Sequence, residues 1–241
     1  MALTVLSDVE KVAVIPNKTS RNMVWFFITA ALLIILDQVT KILVKGFTLF
    51  GYQHEGMFLG ESHALIGDLV RLTFVENPGM AFGIQFGFAK IFLTLFSLIA
   101  GSALVWYLSK LGRFALSIQI GITLLIAGAL GNFIDRCFYG VFYGEQPLFY
   151  GYVVDFIQVD IPDINWFGAT YTHWPVFNVA DSCVSIGMIL LIMFNKYLPT
   201  LADIRRAEFD EESGADTTLL TSPDHMTIDS TISTDENKQQ N

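Results

Sequence analysis

Charged side chains make up only 15% of the 241 residues, where soluble domains carry about a quarter. That deficit excludes an ordinary water-soluble domain. Cysteine is nearly absent: Cys137 and Cys183 are too few for a disulfide framework and stand in no C-x-x-C or Cys/His cluster, so both read as packing residues. Histidines are scattered, and His54-Glu55 lacks the second histidine that an H-E-x-x-H metalloprotease needs four residues after the first. No metal or other cofactor is expected. There is no G-x-S-x-G elbow, and no serine stands beside a histidine or lysine base in a recognisable pattern. The first 22 residues are polar, with Lys11, Lys18 and Arg21, and lack the apolar core of a cleavable signal peptide.

What is present is apolar. Hydrophobic residues reach 53%, with 21 Phe and a mean hydropathy of +0.51, the composition of a membrane protein. The net charge of -9 would suggest a cationic partner, but ten acids lie between Asp203 and Glu236, so the excess belongs to a tail. No nucleic-acid partner is expected. Four stretches are long enough to cross a hydrocarbon core about 30 Å thick: 23–44, 87–108, 114–134 and 177–198. With the N-terminus inside, Lys11, Lys18, Arg21, Lys110, Arg113, Lys196, Arg205 and Arg206 all fall on the cytoplasmic side. Both termini are then cytoplasmic, and the segments 46–86 and 135–175 lie outside. Leu69 to Glu76 and Tyr152 to Ile157 read as strands of a small sheet on the membrane surface, with a turn at Asn77-Pro78-Gly79. The predicted fold is a mainly α membrane protein: a four-helix bundle with an extracytoplasmic β-sheet, one integral-membrane domain over 1–204. The acidic tail, 205–241, is poor in aromatics and expected to be disordered.

The anomaly is a set of polar residues at one depth. Asp37 lies late in the first outward span, Asn132 ends the second, and Asp181 opens the last inward one. A carboxylate at bilayer depth is costly without a partner or a task. Asp37 and Lys41 share a helix face and read as a structural ion pair. Asn132 shares a face with Asp135 and Arg136, and Asn178 with Asp181; these asparagines serve equally well as interhelical hydrogen-bond glue. Asp181 would gain from the backbone N–H groups of a helix N-terminus. Asp155, at the end of the second strand, could approach it. Two adjoining carboxylates cannot both ionise near neutral pH, so one holds a proton while the other activates water.

These residues carry a resemblance. Asp37-Gln38-Val39-Thr40-Lys41, Asn77-Pro78-Gly79-Met80-Ala81-Phe82-Gly83, Gly128-Ala129-Leu130-Gly131-Asn132-Phe133-Ile134-Asp135-Arg136, Val153-Val154-Asp155-Phe156 and Phe177-Asn178-Val179-Ala180-Asp181-Ser182 stand in the order found in bacterial lipoprotein signal peptidases. The chain resembles that family, signal peptidase II, from Asp37 to Ser182. The resemblance implies an aspartyl endopeptidase of the inner membrane that removes signal peptides from diacylglyceryl-modified prolipoproteins just before the lipidated cysteine. It implies that Asp155 and Asp181 are the catalytic pair. Asn77, Gly79, Asn132, Asp135, Arg136, Asn178 and Ala180 then line or support the site, and Asp37 with Lys41 form the structural pair. Implied partners are the prolipoprotein, membrane lipid and inhibitory peptides such as globomycin, the last meeting Asn77 and Arg136; a monomer is expected. Two runs, 53–68 and 161–175, are longer than in compact members, and Trp166, Tyr171 and Trp174 in the second would form a lid or an aromatic belt. The rival classes are a small transporter or proton relay and a purely structural scaffold. A relay should need acids nearer midplane than spans two to four carry.

Overall fold

The structure is a computed structural model that describes residues 22–67, 69–79, 87–166 and 169–220. The chain divides into two units, Met1–Leu198 and Pro199–Asn241.

In the first unit, helix α1 (Val24–Lys45) leads to a hairpin of β1 (Phe47–Leu49) and β2 (Tyr52–His54), then β3 (Ser62–Ile66) and β4 (Val70–Asn77). Helices α2 (Gly87–Ser109) and α3 (Leu116–Ile134) follow. The third predicted span does not stop at 134. It continues through a π-helical turn, Asp135–Tyr139, and a last helical turn, α4 (Gly140–Phe142). A π-turn leaves carbonyls out of α-helical register, and here the following loop supplies donors: Gly151 N–H to the Arg136 carbonyl at 2.9 Å and Phe149 N–H to that of Cys137 at 3.1 Å. Gly151 is required there, since a Cβ would meet the Asp135 carbonyl oxygen and would sit 2.9 Å from Gly140 N. Strands β5 (Val153–Trp166) and β6 (Ala169–His173) complete an antiparallel sheet of order β3-β4-β5-β6. The expected sheet therefore forms. The runs 53–68 and 161–175 contribute β3, the end of β5 and β6 to it.

Among the described residues, three helical segments, Val24–Lys45, Lys90–Ser109 and Leu116–Phe142, are long and apolar enough to cross a membrane. The fourth apolar helix, α5 (Val179–Met193), has 15 residues, which span roughly 22 Å, so the predicted 177–198 is corrected at both ends. Asn178 caps α5 at its start, with extended backbone at φ -126 and ψ -175. At its end Phe194 turns to φ -108, ψ 20, and Asn195–Tyr197 tighten into a 3-10 turn.

Helices α3 and α5 approach through glycine. A Cβ on Gly128 would lie 2.5 Å from the Ala180 carbonyl oxygen, and one on Gly131 would lie 3.1 Å from the Ala180 Cβ. Small residues let helix backbones close up where lipid provides no hydrophobic drive. The sheet is fixed to the bundle by a core of Val44, Phe74, Tyr139, Val154 and Phe156, each side chain worth roughly 1.5–3 kcal/mol when fully buried.

In the second unit, α6 (Leu201–Leu220) occupies much of what the sequence suggests is a disordered tail. The reason is local. Thr200 and Asp203 form a capping box: Thr200 N–H donates to Asp203 Oδ2 at 2.8 Å, and Asp203 N–H donates to Thr200 Oγ at 3.3 Å. The following Leu, Ala, Arg and Glu residues favour helix. Residues 221–241 of the predicted tail lie outside the described residues.

Candidate functional site

Helix α5 begins where the sheet ends. The Phe177 carbonyl accepts from the Phe156 and Ile157 N–H groups at 3.1 and 2.7 Å, and Phe177 N–H donates back to Ile157 at 3.0 Å. This bridge ties β5 to the residue before the α5 N-cap. Asp155, two positions before Ile157, therefore stands beside the first turn of α5. The opposite side of β5 is registered by β4, with Val75 opposite Asp155 and Asn77 opposite Val153.

Asn178 joins the two carboxylates. Its Nδ2 donates to Asp155 Oδ1 at 2.7 Å, while its Oδ1 accepts from Asp181 N–H at 2.8 Å. Asp181 Oδ2 accepts from Asn178 N–H at 3.4 Å, completing a capping box, and Asp181 Oδ1 accepts from Asn132 Nδ2 at 2.7 Å. Asp155 Oδ2 accepts from Asn77 Nδ2 at 3.1 Å. Gly79, at φ 86, donates its N–H to Asn77 Oδ1 at 2.9 Å and so fixes that amide's orientation. Asp155 is buried and Asp181 half-buried. Burial first, and then the charge of Asp181, push the Asp155 carboxyl up to about 7, against the donors Asn77 and Asn178.

Beneath the pair lies a buried ionic layer. Lys41 Nζ stands 2.7 Å from Asp37 Oδ2, 2.8 Å from Asp135 Oδ2 and 3.0 Å from Asn132 Oδ1, and all three charged side chains are essentially inaccessible. Each carboxylate then holds one backbone amide of the site: Asp37 Oδ1 accepts from Ala180 N–H at 2.8 Å, and Asp135 Oδ2 from Val154 N–H at 3.2 Å. The predicted structural pair is thus a triad, with Asp135 as the third member. Arg136 donates Nη1 to the Asn132 carbonyl at 3.3 Å, and its Nε is buried without a hydrogen-bond partner among the described residues.

All eleven residues singled out from sequence fall in this one hydrogen-bonded network. Two that sequence reasoning missed also belong. Gln38 donates to Asp135 Oδ1 at 2.8 Å and to the Gly131 carbonyl at 3.1 Å, and accepts from Tyr139 OH at 3.0 Å. A glutamine inside an apolar span was the available signal for the first. Tyr139 had none, because its helical position depends on the π-turn. Residues Met80 to Gly83 of the second motif lie outside the described residues, as do the side chains of Trp166 and Tyr171; Trp174 is exposed.

A family model described as signal peptidase (SPase) II matches residues 29–196. The chain belongs to the signal peptidase II family. A lipoprotein signal peptidase of Porphyromonas gingivalis is 38% identical over 188 residues, covering 67% of this chain and 78% of that protein. One from Amoebophilus asiaticus is 36% identical over 189 residues, 70% of this chain and 77% of the relative. A solved bacterial membrane enzyme, determined by the in meso method at 1.9 Å resolution, is 34% identical with a TM-score of 0.55, over 72% of this chain and 94% of its own. The family match takes in every site residue described above and ends before α6.

Proposed function

We propose that this signal peptidase II family member is a multi-pass membrane endopeptidase that hydrolyses the peptide bond before the diacylglyceryl-modified cysteine of prolipoproteins, with Asp155 and Asp181 activating water. The observation that carries the dyad is Asn178, whose side-chain amide donates to the Asp155 carboxylate and whose backbone N–H donates to that of Asp181, where β5 meets the first turn of α5. In this reading Asp155, pushed up to about 7, holds the shared proton. Asp181, supported by Asn132 and the helix N-terminus, is the base. Asp181 takes a proton from water as the water oxygen attacks the scissile carbonyl carbon, and Asp155 gives its proton to the carbonyl oxygen; Asp181 then passes its proton to the amide nitrogen as the C–N bond breaks, and a hydroxyl proton of the tetrahedral carbon returns to Asp155 as the carbonyl re-forms. Arg136, whose Nε has no hydrogen-bond partner among the described residues, and Asn77 contact the substrate backbone, and would receive globomycin-like peptides in the same way. The enzyme acts as a monomer in a bacterial inner membrane, with four crossings, both termini cytoplasmic and the site at the outer face.

The deciding experiment offers the purified chain in detergent a diacylglyceryl-modified proprotein and its unlipidated form. Cutting directly before the lipidated cysteine, with the unlipidated form spared, is the expected result. No cleavage of either, with proton flux in liposomes, would establish the relay instead.

The raised Asp155 carboxyl also sets a pH dependence. Its proton is needed for catalysis and leaves as the pH passes about 7, so kcat/KM falls on the alkaline side, by roughly fifty-fold from pH 7 to 9. A profile flat across that range contradicts the assignment of the proton to Asp155.

A further inference from the structure

We propose that the β1–β2 hairpin is a membrane anchor whose apolar face and tip insert into the interfacial layer of the phospholipid bilayer beside the outer end of α1. The hairpin is amphipathic across its two faces. Its register pairs Phe47 with His54, Thr48 with Gln53 and Leu49 with Tyr52. Cross-strand partners share a face and successive residues alternate, so Phe47, Leu49, Tyr52 and His54 form one side and Thr48 and Gln53 the other. The rings of Phe47 and Tyr52 lie 6.0 Å apart, and those of Phe47 and His54 5.6 Å apart.

The tip shows that this face is built for something outside the chain. Leu49, Phe50 and Tyr52 are 51%, 101% and 65% exposed. Phe50 and Gly51 have φ of 50 and 84, the positive values that a two-residue hairpin turn of type I′ requires, and Asn, Asp or Gly normally fill them. Phe50 accepts a strained backbone while its ring is fully exposed. A strained, exposed aromatic is explained by a partner that receives the ring.

Position and charge identify lipid as that partner. The hairpin root is bonded to the last turns of α1: Gly46 N–H donates to Ile42, Met57 N–H to Val44 at 2.8 Å, and His54 Nε2 to the Leu43 carbonyl at 2.9 Å. Three-residue strands put the tip within about 10 Å of that helix end. The 22 residues of α1 span about 33 Å, close to the hydrocarbon thickness, and each interfacial layer adds roughly 5–7 Å. The tip is therefore within reach of the headgroup layer. No acid, lysine or arginine occurs from 46 to 54, so insertion demands no burial of charge, and Phe and Tyr suit the interface. From the hairpin the chain runs directly to Gly60 and Glu61, which bond to Phe74 on β4, so the anchor would set the height of the sheet that carries Asn77 and Asp155.

The test uses the full chain in phosphatidylcholine vesicles, with single nitroxide labels at Phe50→Cys, Tyr52→Cys and Gln53→Cys; the native Cys137 and Cys183 are buried. A label at Val39→Cys, on the exposed side of α1, reports the membrane crossing on which the inference rests. Labels at 50 and 52 should collide preferentially with oxygen, which dissolves in lipid, and the label at 53 with a water-soluble nickel chelate. Labels at 50 and 52 as chelate-accessible as the one at 53, with 39 still in lipid, would overturn the anchor alone. Labels at 50 and 52 shielded from both agents would mean a protein covers the tip, also overturning it, and chelate access at 39 would remove the membrane reading beneath it.

Discussion

Asparagine in place of either Asp155 or Asp181 lowers cleavage of a lipidated proprotein by about a thousandfold or more, the scale of losing a general acid or base that acts with a second group. Asparagine is nearly the same shape but can neither accept the water proton nor deliver one. The fold should survive with a modest penalty. At 155 both carboxylate oxygens accept from side-chain amides, so the new NH2 must face either Asn77 or Asn178. Asn77 cannot simply turn over, since its oxygen is engaged by Gly79. At 181 the clash falls on Asn132 or on the N–H of Asn178. One mismatched buried hydrogen bond costs about 1–3 kcal/mol, so melting temperature and elution volume in detergent are the controls that separate chemistry from folding. The double variant adds a second criterion. Groups that act as one unit are strongly non-additive, so Asp155→Asn/Asp181→Asn should be about as slow as either single change. A single variant keeping a tenth of the activity would remove that carboxylate from the chemistry, and a double variant far slower than both would mean two separate contributions rather than a dyad.

How far sequence reading reached depended on how local each feature is. The Asp37–Lys41 pair follows from i, i+4 spacing, and Asn178 with Asp181 from the N-terminal signature of a helix, so both were legible. The meeting of Asp155 with Asp181 was not legible from periodicity. It depends on the β4–β5 register and on the bridge between Ile157 and Phe177, which join residues distant in the chain; strand and span order allowed the approach, and the ordered motifs singled it out. The π-turn at Asp135–Tyr139 left no mark in a run with neither proline nor a helix cap, so the third span read eight residues short and Tyr139 passed unnoticed. Composition failed at α6 for the opposite reason. Averaging over 205–241 hid a locally capped helix whose start signal, Thr200 with Asp203, precedes the segment averaged. The network's third charge, Asp135, was placed with Asn132 and Arg136 on its own helix, yet its strongest partner, Lys41, comes from another.

That partner carries the second large effect. Lys41→Met should destabilise the protein by about 3–5 kcal/mol, the cost of removing one member from a buried ion pair, against a total stability of about 5–15 kcal/mol for typical domains. Its ammonium lies within 2.8 Å of carboxylate oxygens of both Asp37 and Asp135, so its removal leaves two buried acids uncompensated. Activity should fall with stability, because those acids hold Ala180 N–H at the first turn of α5 and Val154 N–H beside Asp155. Lys41→Arg should give no rescue, since a planar guanidinium needs more room than a fully buried lysine site offers. The cause can be isolated by thermal unfolding in detergent of Lys41→Met alone and combined with Asp37→Asn and Asp135→Asn. Asparagine keeps a side-chain oxygen for each backbone amide while abolishing the charge. If uncompensated charge is the cost, the triple variant melts well above the single one; if it melts as low, Lys41 stabilises the bundle through the space its side chain fills, and the two carboxylates are held by their hydrogen bonds alone.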